Sequence, residues 1–319
     1  MRIRFGYVAM STILEDCSPS KTITAANLSK IPTGEAKIYK LTSLAKTNIK
    51  NTQRLFFHNQ AHHIKVFRIT SKIIPLATHP IAQDWDWLML VGKELESLGL
   101  YAKENNFRIS AHPGHYTLIN SPKEEVLAAS IKDLEYHHQV FERMGLDSSA
   151  KLVMHVGGCY ANKENSIRKF ISNYNQLPTH LKNRIILEND DKIYTTRDVL
   201  SICQHLGIPM VLDIHHHWCN NNNEDLNKYL PAIFDTWKNE TLPPKIHVSS
   251  PKDAKNFRSH ADNIDIGFFL EFLEKAKKLN KDFDVMIEAK KKDAALFRLI
   301  KDIKEMSQVN FTDDATIEF

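Results

Sequence analysis

Cysteine is sparse and scattered in this chain. The four, Cys17, Cys159, Cys203 and Cys219, form no Cys-x-x-Cys pair and no framework spacing, so a reduced, cytoplasmic setting without disulfides is expected. No apolar run approaches the ~20 residues that span a bilayer. The opening stretch, Met1 to Val8, alternates charged and apolar residues like a strand and lacks the apolar core of a signal peptide. Membrane insertion and secretion are therefore not expected. No strand-like run leads into Gly-x-Gly-x-x-Gly, which argues against an open dinucleotide-binding sheet and a nucleotide cofactor. A large excess of one charge is also missing: a net charge of +4 tolerates a nucleic-acid partner without demanding one.

What is present is an ordinary globular composition, 42% hydrophobic and 25% charged over 319 residues, with histidine the outlier at 16. Eight short apolar, β-branched runs alternate with longer helical patterns. The runs are Ile3–Val8, Ile64–Ile69, Phe107–Ala111, Lys151–Val156, Arg184–Leu187, Met210–Leu212, Lys245–Val248 and Asp284–Ile287. Helical candidates between them include Ala82–Asn105, Lys123–Met144, Thr196–Leu206, Leu226–Lys238 and Gly267–Leu279, with start signals at Ser121-Pro122 and Thr195-Thr196. One helix per strand, eight times over, predicts an α/β fold in the form of a single (β/α)₈ TIM barrel over residues 1–308, followed by an acidic, disordered tail over 309–319. The insertion from Ser11 to Lys40 and the polar loop Asn220–Asn223 would extend the strand C-terminal face, where barrels of this kind build their sites.

Polar residues stand where that fold concentrates chemistry. Runs three to eight end, in order, at His112, His155, Glu188, Asp213, His247 and Glu288. Closing the barrel brings these six to one rim. A single histidine or glutamate at a strand end is more often a satisfied hydrogen-bonding group, but six in succession point to shared metal ions. Burying three carboxylates without countercharge costs several kcal/mol each. A set of imidazoles and carboxylates without thiolate suits Mn²⁺ or Zn²⁺, with Mg²⁺ a further option. So many ligands suggest two or three ions bridged by a carboxylate. His216, in the expected loop beyond Asp213, and His260, after run seven, extend the set.

Several stretches together carry a family resemblance: Ala77-Thr78-His79-Pro80, His112-Pro113-Gly114, Leu187-Glu188-Asn189-Asp190-Asp191-Lys192, Asp213 with its histidines, Lys245-Ile246-His247-Val248-Ser249-Ser250-Pro251-Lys252, Arg258-Ser259-His260-Ala261-Asp262 and Met286-Ile287-Glu288-Ala289-Lys290. From about Phe5 to Leu296 the chain resembles the UV damage endonucleases. The resemblance implies a barrel with up to three divalent ions, usually Mn²⁺, that incises duplex DNA immediately 5′ to pyrimidine photoproducts. It implies that His112 and His155 hold one ion, that Glu188 bridges to a second held by Asp213, His247 and Glu288, and that His216 and His260 hold a third. By the same likeness Lys245 stands beside the metals, His79 near the scissile phosphate, and Tyr7 faces the damaged nucleotides. His115 and Tyr116 occupy the place of a Gln-aromatic pair that wedges into the duplex, His here replacing Gln. Ser11 stands where some members have Asn near the phosphate. A lysine facing cations is costly while charged, so a neutral or carboxylated Lys245 is expected.

Phosphodiester hydrolysis needs an activated nucleophile and charge neutralisation, which clustered divalent ions supply without a side-chain nucleophile. The expected products are a 3′-hydroxyl and a 5′-phosphate. Lys163, Lys169, Lys192, Lys252, Lys255 and Arg258, in or beside the strand-end loops, are candidate backbone contacts, and a monomer is expected. Two rival readings share the barrel. An abasic-site endonuclease usually shows Asp-x-His at the third metal and Gly-Glu-Gly soon after, whereas this chain has Arg258-Ser259-His260 and then Ala261-Asp262-Asn263. A metal-dependent sugar isomerase would use a similar rim on a small substrate and need no DNA wedge.

Overall fold

Strands that are apolar on both faces must be covered on both, and alternation with amphipathic helices lets a sheet achieve this by closing inside a helical ring. The computed structural model describes residues 1–160, 162–305 and 309–319. The expected boundary at residue 308 lies outside the described residues. The strands are β1 (Arg2–Val8), β2 (Val66–Arg68), β3 (Arg108–Ala111), β4 (Lys151–Met154), β5 (Ile185–Glu188), β6 (Met210–Asp213), β7 (Lys245–Val248) and β8 (Phe283–Ile287). Each pairs in parallel with the next, and β1 pairs with both β2 and β8, which closes the (β/α)₈ barrel. Among the described residues no helix is long and apolar enough to cross a membrane.

The helices are α1 (Ala25–Ser29), α2 (Gly34–Ala61), α3 (Trp87–Glu104), α4 (Glu124–Arg143), α5 (Lys163–Gln176), α6 (Thr179–Lys182), α7 (Thr196–Leu206), α8 (Ile214–Cys219), α9 (Leu230–Asp235), α10 (Ile266–Lys277) and α11 (Lys292–Lys304). Thr195 caps α7 as expected, and Asp198 completes the reciprocal capping box. Ser121-Pro122 does not start α4; Lys123 stands at that cap without a side-chain bond. The helix expected from Ala82 begins only at Trp87, because Asp86 caps it at Met89 N and a 3₁₀ turn fills Pro80–Ala82. The pattern Leu226–Lys238 breaks into a 3₁₀ turn and α9, since Pro231 is tolerated only in a first turn. Part of the long insertion is helical: it holds α1 and the start of α2.

The acidic tail is ordered. β9 (Asn310–Asp313) and β10 (Thr316–Glu318) form a hairpin whose second strand pairs antiparallel with β1, Arg2 opposite Glu318 and Arg4 opposite Thr316. Ile317 and Ala315 are buried there, which gives the segment enough apolar anchorage to dock on the open edge of β1.

Strand parity divides the core. Ile3, Phe5 and Tyr7, with Phe67, Ile109, Leu152, Leu187, Leu212, Ile246 and Val285, point outward into one large cluster shared with the helices. The inward set is much less apolar. Val8, Val66 and Met286 form one small cluster, and Val153, Ile186, Val211 and Trp237 another. Toward the strand N-termini Asp284 binds Arg4 and Arg108 at 2.6 Å each, and Arg108 lies 5.0 Å over the Trp237 ring. Gly6 lets β1 approach β2 closely, for a Cβ there would sit 1.9 Å from Val66 O.

Candidate metal centre

At the opposite end of the interior the same parity turns His112, His155, Glu188, Asp213, His247 and Glu288 toward one another. Their donor atoms gather into three groups, each with all atoms within 4.8 Å: His112 with His155 and Glu188; Glu188 with Asp213 and His216; Glu188 with His247 and Glu288. Glu188, almost wholly buried, belongs to all three. His216 reaches the set from α8 rather than from a loop. Asp213 caps that short helix by accepting from His216 N at 2.8 Å, so the helix start fixes the ligand spacing. Asn189 locks Asp213 in place, accepting its N–H at 2.9 Å and donating to its carbonyl at 3.0 Å.

Backbone carbonyls orient the rings. His112 Nδ1 donates to Pro113 O at 2.9 Å and His155 Nδ1 to Glu188 O at 3.3 Å. A carbonyl only accepts, so Nδ1 carries a proton in both rings and Nε2 is the nitrogen turned to the site, 3.5 and 3.8 Å from Glu188 Oε2. His247 Nδ1 lies 2.9 Å from Glu188 Oε1 and 3.1 Å from Glu288 Oε1. His216 Nδ1 faces Asn189 O at 3.0 Å, with Glu188 Oε1 at 3.6 Å and Asp213 Oδ2 at 3.8 Å. His260 is not drawn into any of the three groups. Its Nδ1 donates to Glu288 O at 2.7 Å and its ring stands 6.0 Å from that of His216.

Charge clustering governs the ionisation of the site. Burial alone would raise Glu188, but His247 and His155 hold it well below the usual carboxylate range. Burial is likewise outweighed at Glu288, by Arg68 and His247. Asp213 goes the other way, raised by burial and then by the like charges of Glu188 and Glu288. His216 is pushed up to about 9 by Asp213, Glu188 and Glu288 against the effect of burial. Even so, Glu188 Oε2, Asp213 Oδ2 and His247 Nε2 are buried without a hydrogen-bond partner. Carboxylate oxygens accept only, and buried lone pairs of that kind call for a cation. An oxygen-and-imidazole donor set fits a divalent ion of the Mn²⁺ or Zn²⁺ type.

Arg68 was missed in the sequence, although it too is a charged residue closing a strand. It ends β2 on the inward side, mostly buried, and its Nη1 donates to Glu288 Oε1. Lys245, one inward position below His247, is almost fully buried and in no ion pair among the described residues. Burial, then Arg108 and Arg68, hold its amine well below the ordinary lysine value.

Tyr7 requires correction. Sharing the parity of Ile3 and Phe5, it points away from the mouth into the helical layer, fully buried, edge-on to Phe67 and donating to Asn59 Oδ1 at 2.7 Å. It cannot face a damaged nucleotide. Ser11 is also engaged internally: its hydroxyl donates to Asp293 and accepts from Ile13 N and Leu14 N at 2.9 Å each. No capacity is left for a phosphate. His79 is exposed, and its Nδ1 accepts from Ile81 N at 3.1 Å, which leaves an Nε2–H facing outward. His115 and Tyr116 project from the β3–α4 loop with ring centroids 3.8 Å apart, Tyr116 78% exposed. A cavity of about 290 Å³ lies beside them, lined by His112, His155, Met154, Gly158, Lys192 and Ile193 among others. Lys163 is paired with Asp198, and Arg258 donates to Asp191 O at 3.0 Å. Lys169, Lys192, Lys252 and Lys255 make no ion pair among the described residues.

Comparison with known proteins gives consistent matches. The model of the family described as UV-endonuclease UvdE matches residues 3–319. The UV DNA damage endonuclease of Bacillus cereus (strain B4264) is 43% identical over 319 residues, all of both chains, and that of Bacillus mycoides (strain KBAB4) is 42% identical over the same span. The crystal structure of SacUVDE superposes with a TM-score of 0.84 at 33% identity, covering 96% of this chain and 99% of that one. Endonuclease IV from Thermus thermophilus, with a TM-score of 0.54 and 13% identity over 95% of this chain and all of the other, shares the fold alone.

Proposed function

The chain belongs to the UV-endonuclease UvdE family, and we propose that it is a divalent-metal-dependent endonuclease that incises duplex DNA immediately 5′ to UV photoproducts, leaving a 3′-hydroxyl and a 5′-phosphate. The observation that carries the metal dependence is Glu188, one buried carboxylate common to three donor groups, with an oxygen that no protein group satisfies. His112 and His155 would hold one ion with Glu188, and His247 and Glu288 a second. Asp213 and His216 would hold a third, with His260 drawn in from the adjacent loop. Mn²⁺ is our choice among the ions these donors suit. Bound divalent ions would supply an activated water and neutralise the phosphate.

The chain's own residues do the rest. Glu188 fixes the spacing of the groups it joins. His79 offers an Nε2–H to the phosphate from the β2–α3 loop. Tyr116, backed by His115, fills the space left when the damaged bases leave the stack, a displacement that costs least at a poorly stacked lesion. The adjacent cavity is of the size and lining to shelter an extruded base. A neutral Lys245, or its carbamate, would stand under the cations without repelling them; the intact mass of gently prepared protein, with and without acid treatment, tests this. A monomer is our reading of the oligomeric state, which light scattering on the purified protein tests.

The test is incision of end-labelled duplexes carrying a cyclobutane dimer, a 6-4 photoproduct, an abasic site or no lesion, with Mn²⁺. Cuts at the first two, 5′ to the lesion, are expected. Cleavage of the abasic duplex alone would overturn the reading. Glu188→Gln keeps the volume and removes the shared charge, and should lower the rate by at least about 10³; undiminished turnover would refute its role.

A further inference from the structure

Glu288 has a cation beside it that metal binding does not call for, Arg68, and a second, Lys292, follows Glu288 by four residues in the chain. Strands β3 to β8 each bring a histidine or carboxylate to the mouth; β2 brings Arg68 and β1 brings Val8. The ligand ring therefore has a gap on the β1–β2 side, and Arg68 stands at its edge. Its Nη1 holds Glu288 Oε1, the oxygen that also lies 3.1 Å from His247 Nδ1. It is one of the two Glu288 oxygens open to a cation shared with Glu188 and His247, and the one nearer His247 Nδ1, where a guanidinium and a metal would compete. Lys292 is the second cation. It adopts left-handed backbone, φ 48°, rare for a residue with a long side chain. It opens α11 four residues beyond Glu288, is half-buried, and has no carboxylate within ion-pair distance among the described residues.

Charge balance decides what these cations do. Glu188, Asp213 and Glu288 bring three carboxylates to the mouth, at most three negative charges, and Arg68 is ion-paired with one of them. Two divalent ions alone exceed those three charges, and Arg68 is then a surplus cation whose partner has been taken. A phosphate in the gap is the anion that satisfies it, by the fork geometry guanidinium groups favour.

We propose that Arg68 is an exchangeable counter-ion: it neutralises Glu288 until a divalent cation claims that oxygen, and then grips, together with Lys292, the phosphate to be cut. This rests on the nuclease reading for its second half only.

Two measurements test it. The first is calorimetry of Mn²⁺ binding to metal-stripped wild type, R68Q and R68K without DNA. Loss of the internal competitor should tighten the weakest Mn²⁺ step in R68Q at least about threefold. Unchanged or weaker binding means that Arg68 merely positions Glu288, and overturns the exchange. The second is binding to a lesion duplex whose scissile linkage is either a charged, uncleavable methylene phosphonate or a neutral methylphosphonate. Wild type should lose about tenfold on neutralisation, and R68Q and K292M at most about threefold, since the partner is already gone. Equal losses in all three proteins overturn the phosphate half. Thermal melts check folding; if R68Q does not fold, R68K carries the first arm in the same direction and K292M the second. A wild type that binds Mn²⁺ but neither duplex overturns the nuclease reading, and the first arm then decides the exchange at Glu288 alone.

Discussion

Replacing Tyr7 by phenylalanine removes one hydroxyl from the centre of the β1–α2 contact and nothing from the mouth of the barrel. That hydroxyl donates to Asn59 Oδ1 at 2.7 Å, and both residues are fully buried. Asn59 Nδ2 is already without a partner, so the variant strands the amide oxygen as well. A lost hydrogen bond with a buried acceptor left unsatisfied costs about 2 kcal/mol. Spread over the unfolding entropy of a chain of this length, that is a fall in Tm of about 3 °C. The Phe67 edge contact survives, so no cavity term is added. The assay pairs thermal and urea melts with single-turnover incision of a dimer-containing duplex. Y7F should be destabilised as stated and cut within about twofold of the wild-type rate. A variant of unchanged stability whose lesion affinity has dropped tenfold would place Tyr7 at the DNA and refute the parity that turns it inward.

Three further outcomes are expected. Tyr116→Ala should weaken lesion-duplex binding by about tenfold, the worth of one stacked aromatic, and leave undamaged duplex nearly unaffected; equal losses on both would remove the wedge role. Asp293 joins the Ser11–Thr12 turn to α11, and although burial opposes it, bonds from His58, Ser11, Thr12 and Ala294 hold its carboxyl below the ordinary range. Its contribution to stability is therefore complete above about pH 4 and fades as the pH falls through the lower folded-state value. Urea melts should accordingly show the gap between wild type and D293N closing between neutral and strongly acid pH, and a constant gap would contradict the assignment. Mn²⁺ at about a hundred times its dissociation constant should stabilise the stripped protein by about 2.7 kcal/mol, and E188Q by much less; an equal gain in both would detach binding from Glu188.

The ligand rim was legible because a parallel barrel writes it into the order of the chain. Runs three to eight each lead into a polar residue, and closure converts those six distant positions into one ring. Glu188 as the common member was not legible from spacing, since its sharing depends on how far each strand rises. The helical setting of His216 is hidden because six residues between Asp213 and Asn220 give too short a pattern to mark a helix; Asp213 as both ligand and cap is the available clue. Tyr7 could have been placed from the sequence. It shares the parity of Ile3 and Phe5, not that of Arg4 and Gly6, and this parity outweighs the family likeness. The tail misled for a different reason: its acidic composition hides Ala315 and Ile317, whose burial depends on a strand edge more than three hundred residues away in the chain.

The same alternation explains why so charged an interior does not unfold the barrel. Inward residues fall in layers about two residues apart along each strand. The layer nearest the strand N-termini is an ionic plug, Asp284 between Arg4 and Arg108, with Lys151 bound to Glu240 at 2.7 Å. The apolar part of the interior comes in two separate clusters, Val8, Val66 and Met286, and Val153, Ile186, Val211 and Trp237, with His155, Glu188, Asp213 and Glu288 two residues further along the strands of Val153, Ile186, Val211 and Met286. Lys245 stands in register with Asp284 of β8, one inward position below His247, and is almost fully buried. Burial first, then the like charges of Arg108 and Arg68, outweigh Asp284 and Glu188 and depress its amine.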